Sequence, residues 1–119
     1  MRFACLVYFD PSSAFDGSPA NVATLDAAEV NRQELLASGV VAEALMLPSS
    51  AVTVRVRGDK VLLNDGPFAE TKEVLGGFYV IEAANIHAAV KVAEANPMAK
   101  LGAVEVRPMV DFSQVRPVA

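Results

Sequence analysis

Apolar and polar positions alternate differently along successive stretches of the chain, and each pattern predicts an element. Arg2 to Phe9 (RFACLVYF) is apolar at both parities, as in a strand covered on both faces and central in its sheet. From Thr24 to Ser38, Leu25, Ala28, Leu35 and Leu36 fall roughly on one stripe. A capping Thr24, the early acids Asp26 and Glu29 and a terminating Gly39 complete the signature of a helix that packs by one face. The segment between, Asp10 to Asn21, carries two prolines and a glycine and predicts a mobile loop that could serve as a lid.

Val40 to Leu47 is a second apolar run, ended by Pro48. The next stretch, AVTVRVRGDKVLLND, alternates cleanly about Gly58-Asp59 and predicts a hairpin. A two-residue turn there pairs Arg57 with Lys60, Val56 with Val61, Val54 with Leu63 and Val52 with Asp65. That register puts Asp65 on the face of Val52, Val54, Val56, Val61 and Leu63, and Thr53, Arg55, Arg57, Lys60 and Asn64 on the other. VLGGFYVIEA (Val74 to Ala83) reads as a further two-sided strand, opened by a glycine pair that permits a bulge or close backbone approach. Asn85 caps a second helix running to about Ala95, with Ile86, Ala89, Val90 and Ala93 inward and Asn96-Pro97 as its end. In the last strand, Ala103 to Met109, Val104 and Val106 oppose Glu105 and Arg107 in parity.

This order of elements predicts an α+β fold: a ferredoxin-like, split βαβ sheet with an inserted β-hairpin and both helices on one face. One domain spans residues 1–119, because a chain of that length supports a single core. The uncovered sheet face would carry apolar side chains from Phe3 to Phe9 and Phe78 to Ile81, so a homodimer with facing sheets is expected.

Composition narrows the functional classes. With 53% hydrophobic and 20% charged residues the chain is globular rather than disordered. A net charge of -4, with ten scattered basic residues, argues against nucleic acid and against anionic membrane as partners. One cysteine and one histidine provide neither a disulfide nor a zinc-type ligand set, so no metal or other cofactor is expected and a reducing cytoplasm fits best. The apolar start is far shorter than the ~20 residues of a membrane span, and no targeting signal is expected.

Candidate chemistry centres on NDGPFAETKE, Asn64 to Glu73. Asp65 has two opposed readings. As a turn cap it accepts hydrogen bonds from N–H groups near Ala69 and Glu70, which lowers its pKa. As a catalytic proton-transfer group it is buried among valines, which raises its pKa toward neutrality. Phe68 is expected to bury its ring and anchor the turn, with Pro67 fixing the approach. Arg107 either pairs with Glu105 on a solvated face or clamps an anionic ligand group. Tyr8 and Tyr79 are either core residues with bonded hydroxyls or, with Arg107 and Phe68, substrate-binding groups. Cys5 reads as buried and inert, and His87, in the first turn of the second helix, as solvent-facing.

DGPFAETKE, the following LGGFYVIE and the closing VEVRPM resemble the YCII-related family, specifically its DGPF-domain branch, over nearly the whole chain. The resemblance implies a dimeric α+β barrel of ferredoxin-like units. It implies little about activity: most members are uncharacterised, the wider group includes a dehydrochlorinase acting on chlorinated hydroquinones, and DGPF members are often associated with extracytoplasmic-function sigma factors. The wider family is thought to use a His and Asp pair. Asp65 matches the aspartate, but RFACLVYF has no histidine where the first-strand partner would stand. Two functions follow: a small cofactor-independent enzyme in which Asp65 moves a proton on an aromatic or carbonyl metabolite, or a non-catalytic dimer binding a small-molecule ligand or partner, linked to sigma-factor regulation.

Overall fold

Strand β1 (Arg2–Phe9) buries Phe3, Cys5, Val7 and Phe9 and leaves the alternate positions only half covered, so one parity of a single strand sets the inside of the molecule. The computed structural model describes residues 1–114. After β1 come α1 (Pro11–Ala14), α2 (Pro19–Ala37), β2 (Val41–Ala44), a 3-10 turn at Pro48–Ser50, β3 (Val52–Arg57), β4 (Lys60–Asp65), β5 (Val74–Glu82), α3 (Ile86–Glu94), α4 (Met98–Leu101) and β6 (Ala103–Pro108).

Four strands form one antiparallel sheet in the order β2-β5-β1-β6, and β3 and β4 form a separate two-stranded sheet. The larger sheet is open and does not close into a barrel. β1 is its central strand, as the two-sided apolar pattern predicts, and the fold is α+β. Leu25, Ala28 and Leu35 of α2, Ala89 of α3 and Met98 all pack on the side of Phe3, Cys5 and Val7. Both long helices therefore cover the same face. Burying a side chain such as Phe3 contributes roughly 1.5–3 kcal/mol.

Two glycines hold this end of the sheet together. Gly76 is the extra residue of a bulge in β5, between the pairs Val7–Gly77 and Tyr8–Leu75. A Cβ there would stand 1.9 Å from Phe9 Cε1, so the missing side chain is what lets the Phe9 ring lie against the strand. Gly102 precedes β6, and its Cβ would come within 2.0 Å of the Tyr8 carbonyl oxygen.

The segment expected to be a mobile loop is mostly helical, and this corrects the sequence expectation. Pro11 and Pro19 each sit in the first turn of a helix, where the missing N–H has no intrahelical partner to lose. Asp10 caps α1 by accepting from Ser12 N (3.0 Å), and Ser18 caps α2 by accepting from Asn21 N (3.3 Å). Thr24 is thus inside α2 and not its cap; its hydroxyl donates to Ala20 O. The second helix begins as predicted, with Asn85 Oδ1 accepting from Ala88 N (2.9 Å). Of its expected inward positions Ala89 and Ala93 are buried, whereas Ile86 and Val90 remain partly exposed.

Tyr79 is 3% exposed, and its hydroxyl, beside Asn96 and Cys5, has no partner at hydrogen-bonding geometry among the described residues. Burial is the main cause pushing its pKa up to about 12; burial also raises the Cys5 thiol.

Two outcomes test this packing. Gly102→Ala should lose about 1–3 kcal/mol in urea unfolding, because the added methyl meets backbone rather than a movable side chain. The phenol of Tyr79, with a raised folded pKa, contributes stability that is fully present below the unfolded value near 10 and is lost as pH rises toward about 12. Wild type should therefore lose on the order of 2 kcal/mol relative to Tyr79→Phe across that window. Parallel pH–stability curves for the two proteins would refute the assignment.

Candidate functional site

The hairpin closes in the register its sequence predicts, from Arg57–Lys60 at the turn to Val52–Asp65 at the root. Gly58 takes φ +62 at the first central position of the turn, the residue and conformation that glycine-first two-residue hairpins favour. At the root, Gly66 N donates to Ala51 O (2.6 Å) and Thr53 Oγ1 donates to Gly66 O (2.8 Å). Gly66 itself has φ +102, which a residue with a Cβ rarely adopts. The Asp65-Gly66-Pro67 corner is therefore rigid, tied from both sides of Gly66 to Thr53 of β3 and to Ala51 just before it.

The structure changes what surrounds this corner. The hairpin stands apart from the four-stranded sheet, and Val52, Val54, Val56, Val61 and Leu63 are 57–64% exposed. Asp65 shares their face and is exposed with them, so in the single chain the valines do not bury it. Nor does it cap the turn: among the described residues, no hydrogen bond from Ala69 or Glu70 reaches its carboxylate. Phe68 is 79% exposed, which overturns the expectation of a buried anchor. The anchoring is done by the backbone bonds at Gly66 instead.

An open cleft of about 1030 Å³ lies between the hairpin root and the end of β1. Tyr8, Met46, Leu47, Phe68, Lys72 and Leu75 are among its walls, and Val52, the cross-strand partner of Asp65, is another. Asp65 itself is not a lining residue and sits beside the rim. Asp10 is a second carboxylate at this end. Its bonds from the Ser12 hydroxyl and N–H, aided by Lys72 Nζ at 4.0 Å, hold its pKa below the usual carboxylate value. Sequence reasoning treats Asp10 only as the start of the expected loop; the one available signal is Asp-Pro-Ser-Ser, a helix N-terminus with proline in its first turn.

The five predicted site residues do not converge within one chain. Tyr8 and Phe68 line the cleft. Tyr79 lies on the opposite side of the sheet, paired with buried Cys5, and lines a smaller cavity under α2. Arg107 is on the open sheet face opposite Ala4, where its Nη2 donates to Glu105 Oε1 at 2.8 Å, the ion pair anticipated as one of its two readings. His87 is exposed. Among the described residues no group of three His, Cys, Asp or Glu side chains could hold a metal ion, and no helix is long and apolar enough to cross a membrane.

A cleft with a rigid acidic corner at its rim can hold a small organic molecule and offer it a carboxylate, but one chain alone leaves that carboxylate in solvent. The chain is 36% identical over 116 residues to an uncharacterized protein of Rhizobium meliloti (strain 1021), the match covering 92% of each chain. The family model for the YCII-related domain matches residues 1–113, which takes in every strand and helix described above. On both grounds the chain belongs to the YCII-related family.

Proposed function

We propose that the protein works as a homodimer of ferredoxin-like units, in the DGPF branch of its family, and binds a small organic metabolite in the cleft at the hairpin root. The observation that carries this reading is the aliphatic stripe of the hairpin. Five exposed apolar side chains on one face, Val52 to Val56 and Val61 to Leu63, stand next to a cleft already lined by Met46, Leu47, Phe68 and Leu75. Monomeric proteins rarely leave so continuous an apolar surface in water.

A second copy is the occupant the chain itself supplies. The open sheet face adds to the surface: Ala4, Leu6, Tyr8, Phe78 and Val80 are half-buried there, and Val41 and Leu75 are exposed. The strand order β2-β5-β1-β6 and the helices on one side support a ferredoxin-like unit, whose free face is the one expected to meet its partner. In such a dimer the face carrying Asp65 would be covered. A free, buried Cys5 supports work in a reducing compartment such as the cytoplasm.

The binding reading stands ahead of the catalytic one because Asp65 is outside the cleft lining and β1 offers no histidine beside it. Catalysis by Asp65 remains the second reading, favoured by its position opposite cleft-lining Val52. There Asp65 would transfer a proton to or from an aromatic or carbonyl compound, once dimerisation withdraws it from water.

Sedimentation should give a dimer at micromolar concentration, and Val54→Asp should convert it to a folded monomer; a wild-type monomer would end this proposal. A metabolite screen by thermal shift should return a ligand that stabilises the dimer by about 2.7 kcal/mol at 100 times its dissociation constant. Asp65→Asn should keep both fold and ligand binding, and loss of turnover in that variant would move the assignment to the catalytic reading.

A further inference from the structure

A separate cavity of about 230 Å³ lies on the other side of the sheet, between α2 and the buried face of β1 and β5. Its origin is visible in α2. This 19-residue helix has no fully buried residue, and Leu25, Ala28 and Leu35 reach the core only as partly buried contacts. The helix therefore stands off the sheet. Beneath it the strand floor is Gly76-Gly77, which projects no side chain into the gap.

Two buried polar residues interrupt the apolar lining. The Tyr79 hydroxyl is buried and unpartnered, and an orphaned buried hydroxyl is uncommon because it forgoes the hydrogen bonds it had in water. Asn96, also buried, spends Oδ1 on Met98 N (2.9 Å), which leaves its amide nitrogen as a donor. The charged lining residues, exposed Glu29 and Glu43 with half-buried Arg32, lie at the mouth. Arg32 and Glu29 are closed on each other by two bonds, Nε to Oε2 at 2.9 Å and Nη2 to Oε1 at 2.8 Å, so no unpaired cation is presented there.

We infer that this cavity is a second ligand site, for a neutral molecule of one ring with a short substituent ending in a hydrogen-bond acceptor such as a ketone or aldehyde oxygen, to which the Tyr79 hydroxyl donates. Size sets the first part of the description, since an apolar cavity of about 150 Å³ accommodates benzene. The unpaired donors set the second. The mutual neutralisation of Arg32 and Glu29, with Glu43 beside them, sets the third: an anion gains nothing on entry and loses its hydration. The site is independent of the proposed dimer, because it lies on the helix-covered face.

The test uses the full-length protein with three probes of one shape: acetophenone, ethylbenzene, which lacks the acceptor, and benzoate, which adds a charge. Amide chemical-shift titrations should show saturable binding of acetophenone, with the shifts grouped at Ala28, Gly76 and Gly77 and not at Met46 or Phe68. Ethylbenzene should bind about tenfold more weakly, the equivalent of one hydrogen bond of about 1.4 kcal/mol, and benzoate should not compete. Tyr79→Phe should bring the two neutral probes to equal affinity, and Ala28→Phe, which fills the space, should abolish both. No saturation by acetophenone, shifts at the hairpin cleft, a preference that survives Tyr79→Phe, or unchanged binding in Ala28→Phe would each overturn the inference. Ala28→Phe decides the question alone if Tyr79→Phe fails to fold.

Discussion

Two of the three pairings in the main sheet are made by β1, which hydrogen-bonds to β5 along one edge and β6 along the other. Its alternating side chains then settle which face is inside, because a one-residue slip would carry Phe3, Cys5, Val7 and Phe9 into solvent together. At one end of the sheet two glycines permit close approaches, Gly76 to the Phe9 ring and Gly102 to the Tyr8 carbonyl. With both long helices drawn to the Phe3 side, the Leu6 and Tyr8 side receives no helix among the described residues. The uncovered face is a consequence of that one-sided packing.

This division separates the two tyrosines and the two concavities. Tyr8 is at the parity that meets the hairpin cleft, and Tyr79, paired with Cys5, is at the parity that meets α2. Their environments differ accordingly. The cleft side carries Lys72 and Asp10 in contact with water, while the α2 side holds a phenol whose ionisation burial opposes up to about 12. Charge is available at the first site, and only neutral hydrogen-bond donors line the interior of the second.

The hairpin's apolar alternation conceals how exposed it is. Alternation ordinarily marks a half-buried strand, and here it marks a stripe that no element among the described residues covers. The Asp-Gly-Pro corner is held by Gly66 through Ala51 and Thr53, and Phe68 is left free of any anchoring duty. An exposed aromatic ring beside a cleft suits contact with something outside the chain better than it suits the core.

Local patterns determined the elements whose partners are close in sequence. The hairpin register from Val52–Asp65 to Arg57–Lys60 and the Asn85 cap follow from alternation, a two-residue turn and one capping side chain, all short-range physics. Proline misled the same reading between Asp10 and Asn21, since Pro11 and Pro19 break a helix interior but suit a helix start, and only the placement of Asp10 and Ser18 as caps distinguishes the two. What tertiary structure alone decided was exposure. Whether the valines enclose Asp65, whether Phe68 is buried, and whether α2 seats on the sheet or stands above a cavity all depend on distances between elements far apart in the chain, and no period of hydrophobicity encodes those distances.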